Sequence, residues 1–219
     1  MAWLSPAFPV GAFAYSHGIE CGVEQGLIRD RESLAAWVAA IVGHGAGAVD
    51  AVLFREAWVA AAGDEGALDR VAELGAAFRG SAETALESMD QGSAFLATVA
   101  EAWPDPRLSA WSERLRKAGR GPAYAVAVGA VAGWTGLPLA LALFAFLQAF
   151  AANLVSAGVR LIPLGQTDGQ RAIATLEAPI AAALEIALVR PLDDIGAATP
   201  MVEWTSIRHE TQYTRLFRS

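Results

Sequence analysis

From Gly121 to Val159 the chain carries no Asp, Glu, Lys, Arg or His, and Arg120 and Arg160 bracket the run. So long an uncharged stretch has to leave water, either into a protein core or into a bilayer. Gly136-Leu137-Pro138 divides it into two helices. The first half, from about Ala123 to Thr135, falls short of the roughly 17–25 residues a spanning helix needs. The second, Leu139 to Val159, is long enough but carries Gln148, Asn153 and Ser156. The balance favours a buried central helix pair. A small membrane protein with a helical hairpin at 123–159 is the alternative.

Around this run, helical periodicity recurs. Leu34, Trp37, Val38 and Ile41 follow i, i+3, i+4, i+7 after Asp30, a ready N-cap. Leu68, Val71, Ala72, Gly75 and Phe78 repeat that spacing, and Leu108, Trp111 and Leu115 do so more briefly. Leu86, Met89, Leu96 and Val99 form a stripe on a longer helix that Pro104 closes, and Gly43-His44-Gly45 reads as a helix interruption. Ile173, Leu176, Ile180, Leu184 and Ala187 share a face, with Pro179 expected to kink that helix or start a new one. No sustained period-2 run appears. The expected fold is all-α: a single-domain bundle of roughly eight to ten helices around the central apolar pair. Two stretches fall outside the pattern. Ser5 to Gly11 has two prolines and should be extended, and residues 199–219 turn polar and basic after an acidic chain. The chain therefore divides into a helical domain, 1–198, and a C-terminal tail, 199–219.

Charged residues are 18% of the chain, below the roughly 25% of an ordinary soluble domain, while hydrophobic residues reach 54%. Apolar surface is thus left for a partner subunit, a self-interface or a membrane. A net charge of −7 argues against binding nucleic acid through a broad basic surface. Cys21 is the one cysteine, which excludes an internal disulfide framework and fits a reducing cytoplasm. The opening MAWLSPAFPVG has neither a basic leader nor a long apolar core, so no signal peptide is expected.

Catalytic motifs are missing. There is no GxxxxGK[ST] loop, no GxGxxG between strand and helix, no GxSxG elbow and no HExxH. His17 and Cys21, one helical turn apart with Glu20 and Glu24 alongside, could seed a transition-metal site. They lack an obvious third ligand, and buried cysteine commonly serves as a small hydrophobe; no metal site and no cofactor is expected. Ser16 beside His17 does not make a nucleophile and base, because adjacent helical residues do not face each other. Arg160 ends the uncharged run. It either offsets a helix dipole or presents a cation to a charged partner or an ion path.

These same segments resemble the UreF family of urease accessory proteins. SPAFPVGAFAYSHGIE, residues 5–20, looks like that family's opening block, and SAGVRLIPLGQ, residues 156–166, is similar to its second, with Arg160 at the basic position. SIRHETQYTRLFRS matches the family's tail almost residue for residue, and Asp194-Ile195-Gly196 with Thr199-Pro200 resembles the approach to it. The chain departs from the family in two places. Met1 falls almost on the first block, so the beginning is expected to be trimmed. Ala82 and Ala85 stand where relatives often carry arginine, although Glu83 and Glu87 remain.

The resemblance implies a cytoplasmic, non-enzymatic adaptor, soluble and homodimeric. It would bind the accessory protein UreD (UreH) and with it recruit the GTPase UreG, coupling GTP hydrolysis to nickel delivery into apo-urease. It implies UreD docking by Arg208, His209, Glu210, Thr211, Gln212, Tyr213, Arg215, Leu216 and Phe217. It places Tyr15, Ser16, His17, Glu20, Arg160, Gly165 and Gln166 on the GTPase-facing surface or the ion path.

Overall fold

A computed structural model describes residues 2–219. Among these there are eleven α-helices and no strands. They are α1 (Ile19–Glu24), α2 (Arg31–His44), α3 (Ala46–Ala60), α4 (Glu65–Ala77), α5 (Ala82–Ala102), α6 (Pro106–Lys117), α7 (Tyr124–Trp134), α8 (Leu139–Leu161), α9 (Gln166–Thr175), α10 (Glu177–Val189) and α11 (Pro200–His209). Single residues, Gly45 and Leu176, join α2 to α3 and α9 to α10. Counted as continuous rods, Arg31–Ala60 and Gln166–Val189 leave nine helices.

Local signals set most boundaries. The Asp30 carboxylate accepts a hydrogen bond from the Ser33 amide and the Ser33 hydroxyl accepts one from the Asp30 amide, a capping box that starts α2. Ser81 and Thr84 do the same for α5. Asp105 followed by Pro106 starts α6, a favourable order because proline at the first helical position loses no needed donor. Pro179 sits in the first turn of α10, so the expected break comes at Leu176 and a new helix begins.

The uncharged run lies at the centre, though not as a two-helix hairpin. In α7 every residue from Ala125 to Ala132 is buried. Its main partners are α3 and α5, with α8 a lesser one. Gly129 and Gly133, one turn apart, make this possible: a Cβ at Gly129 would collide with the Phe54 main chain, and one at Gly133 would lie 2.6 Å from the Trp58 carbonyl. Tyr124 and Phe146, ring centroids 5.6 Å apart, link α7 to α8. By length and composition Arg31–Ala60, Leu139–Leu161 and Gln166–Val189 could each cross a bilayer; α7 is too short.

Two expectations need correction. Ser5 to Gly11 is a series of bends and turns between short 3-10 turns at Ala2–Leu4 and Ala12–Ala14, with Phe8 N–H returning to Ser5 O at 2.9 Å. Leu86 is exposed and Met89 only partly covered, because the first half of α5 buries Thr84, Glu87, Ser88 and Gln91 instead. That polar face points to where the chemistry lies.

Candidate site: a carboxylate cradle holding the C-terminal segment

Three acidic side chains, Glu20 on α1 and Glu83 and Glu87 on α5, receive the last residues of the chain. Glu20 is buried, and its two oxygens accept the amides of Leu216 at 2.7 Å and Phe217 at 2.9 Å. Fully buried His209 places Nε2 3.0 Å from Glu20 and Nδ1 2.6 Å from Glu83. A neutral imidazole has one N–H, so both contacts are hydrogen bonds only when the ring is doubly protonated. Glu83 also takes Arg215 at 2.7 Å, and Glu87 accepts from the Ser219 hydroxyl at 2.8 Å. The Ser16 amide and hydroxyl both bind the Ser219 main-chain oxygen, and the Arg218 amide donates to Ala14 O at 2.8 Å.

Aromatic rings close the ends. Phe217 is only 4% exposed, and the Arg160 guanidinium sits 4.4 Å over its ring centroid. Arg160 lies in the last turn of α8, and its Nε donates to Ser156 O at 3.3 Å. Tyr15 donates its hydroxyl to Asp90 at 2.8 Å, and Arg218 stacks 5.4 Å from the Tyr15 ring. Burial, then the Asp90 carboxylate, pushes the Tyr15 hydroxyl up to about 12. α11 reaches the cradle by crossing α1 at Gly18, whose left-handed backbone (φ 77°) and missing side chain leave room for Thr205 and Ser206.

The structure thus unites two groups of residues that the sequence kept apart. Tyr15, Ser16, His17, Glu20 and Arg160 all surround the C-terminal segment, whereas Gly165 and Gln166 lie exposed at the start of α9. Within the tail, His209 and Phe217 face inward, Glu210 accepts from the Ala82 amide at 3.0 Å, and Thr211 and Gln212 make local turn contacts. Arg208 is exposed, Leu216 is 65% exposed and Tyr213 fully so. Sequence reasoning missed Glu83 and Glu87 as anchors of the tail. Their signal was present: carboxylates at i, i+4 on a helix whose same face carries Thr84, Ser88 and Gln91.

The helical spacing assumed for His17 and Cys21 does not exist. α1 begins at Ile19, and His17 has a left-handed backbone with φ 56°. Its ring packs edge-on against Phe150, with Nδ1 3.4 Å from Glu87. Cys21 is buried, and desolvation raises its thiol pKa, which disfavours the thiolate a metal needs. Among the described residues no group of three or more His, Cys, Asp or Glu is gathered that could hold a metal ion.

Comparison with known proteins gives the chain's family. The family model described as UreF matches residues 28–177. The urease accessory protein UreF of Granulibacter bethesdensis is 54% identical over 220 residues, covering all of this chain and 92% of that protein. The proteins of the same name from Rhodopseudomonas palustris (strain BisB5) and Bradyrhizobium diazoefficiens are 52% and 50% identical, again across the whole chain and 89% and 90% of their own length. The alignments run through the whole cradle, whereas the family model takes in Glu83 and Glu87 but stops short of Glu20 and the C-terminal residues. With half of its residues shared along its full length, this chain belongs to the UreF family of urease accessory proteins.

Proposed function

We propose that this chain is the adaptor of a urease-maturation assembly. It binds the accessory protein UreD (UreH) through the segment 199–219, forms a homodimer in the cytoplasm, and with UreD recruits the GTPase UreG, whose GTP hydrolysis drives nickel into apo-urease. The chain itself catalyses no step. The observation that carries this reading is the split exposure of the tail: His209, Phe217 and Ser219 are buried anchors, while Tyr213 and Leu216 stand out in solvent. A segment whose backbone is already fixed loses little conformational entropy when a partner covers its exposed aromatic side chain. Tyrosine and arginine are also the residue types that dominate interface energetics.

In this reading Tyr15, Ser16, His17, Glu20 and Arg160 act on partners by setting the position of the tail. Exposed Gly165 and Gln166 are the candidates for direct contact with UreG. The test is binding of purified UreD to the full chain carrying Tyr213→Ala and Leu216→Ala. Affinity should fall at least about tenfold, as for loss of a buried aromatic anchor, with the thermal midpoint unchanged. Undiminished UreD affinity would move the interface to the helical body. The same preparation addresses the bilayer: recovery of the chain only with detergent would overturn the cytoplasmic reading.

A further inference from the structure

Beside the cradle, between α3, α5 and α11, lies a cavity of about 390 Å³, within the size range of small-ligand sites. Three helix N-termini reach its wall: Ala46 is the first residue of α3, Thr84 lies in the first turn of α5, and Val202 in the first turn of α11. α5 is capped by Ser81 and contributes only its dipole. Neither Gly45 nor Thr199 supplies a side-chain cap, so the leading amides of α3 and α11 have no side-chain acceptor. At α11 the leading amides and the positive dipole end together favour an anion; at α3 the C-terminus of α2 offsets the dipole, and only the amides count.

Independent of the helix ends, two buried side chains on the wall each leave one nitrogen without a hydrogen-bond partner. The Arg79 side chain is only 5% exposed; one amino group bonds Asp50 at 2.7 Å and Ser88 at 2.8 Å, and Nε–H has no acceptor. His17 Nδ1 is likewise without a hydrogen bond. A buried donor left unmade costs about 1–3 kcal/mol, so an acceptor in the cavity is favoured. Opposing charges are Asp50, already paired with Arg79, Glu87 next to His17, and Glu203, whose carboxylate lies against Gly80 on the cavity wall.

We propose that this cavity binds a small oxyanion, phosphate or carboxylate, held by Arg79 and the first-turn amides of α3 and α11. Glu203 is the chain's own competing negative charge and sets how tightly the site holds its ligand. The site does not depend on the reading of the tail as a docking segment. The test is titration of the isotope-labelled full chain with inorganic phosphate and, separately, acetate at constant ionic strength. The signals followed are Arg79 Nε–H and the amides of Ala46, Gly47 and Val202. Saturable shifts are expected, and whichever anion produces them names the source chemistry. Glu203→Gln should tighten binding about threefold to tenfold by removing one nearby negative charge. Arg79→Gln should abolish saturation; where loss of the Asp50 pair prevents folding, Ala46→Leu fills the cavity and should have the same effect. Shifts that never saturate with either anion, or an affinity unmoved by Glu203→Gln, would overturn the proposal.

Discussion

Glu20 shows what one side chain can decide. Its carboxylate accepts two consecutive backbone amides and a buried imidazole, from residues nearly 200 positions away in sequence. Glu20→Ala would leave those donors buried and His209 without one of its two carboxylate partners. The expected cost is about 3 kcal/mol, the scale for breaking a buried charged network by removing one partner, read as a lower urea midpoint with fast hydrogen exchange at Leu216 and Phe217. Tyrosine ionisation gives a second test. Tyr15 and Tyr124 both have hydroxyl pKa values raised to about 12, Tyr15 by burial and Asp90, Tyr124 by burial alone. The folded state holds these protons more tightly than the unfolded state. The stabilisation is therefore complete below the ordinary tyrosine value of about 10 and is lost as pH rises to about 12. Absorbance titration should show these two phenols ionising last, and Tyr15→Phe should flatten the alkaline fall in stability. Glu20 was legible as part of a recurring block; its partners were not, because no local pattern announces a contact across such a separation.

Among the elements, α7 and α5 differ most in what their sequences disclosed. The absence of charge in α7 announced a buried helix, and burial on every side follows directly. The identity of its partner did not follow, since hydrophobicity carries no direction; that information sits in Gly129 and Gly133, which read as ordinary helix weak points until α3 is laid against them. Gly129→Ala should therefore destabilise by about 1–3 kcal/mol, the scale of overpacking, although alanine favours an isolated helix by close to 1 kcal/mol. A stabilised variant in a chemical melt would show that α7 can move away from α3 without loss. For α5 the apolar stripe misled at its first half, because the face that is buried there is polar: the tail meets Glu83 and Glu87, while Ser88 takes Arg79 and the Tyr124 amide. Helical periodicity identifies the buried face only when the neighbour is apolar.

At the scale of the molecule, residues 199–219 look separable in sequence, yet α11 crosses α1 at Gly18 and the last residues hold Ser16, Glu20 and Glu87. A chain ending at Thr199 would expose a cradle of carboxylates whose donors are gone. Like charges at Glu20, Glu83 and Glu87 would then repel with nothing between them, and the left-handed turn at His17 would lose the contact from Ser219 that helps fix it. The expected outcome is loss of hydrogen-exchange protection over residues 14–24 and the first turns of α5, together with a lower thermal midpoint, while α3 and α7 stay protected. If UreD docks on the tail as proposed, a binding loss in such a protein would not separate missing contacts from a disordered cradle, so truncation cannot locate the interface. The paired substitutions at Tyr213 and Leu216 can, because they leave the cradle occupied. Should the truncated chain keep full protection at residues 14–24, the N-terminal block would be self-supporting, and the tail would be a free docking arm after all.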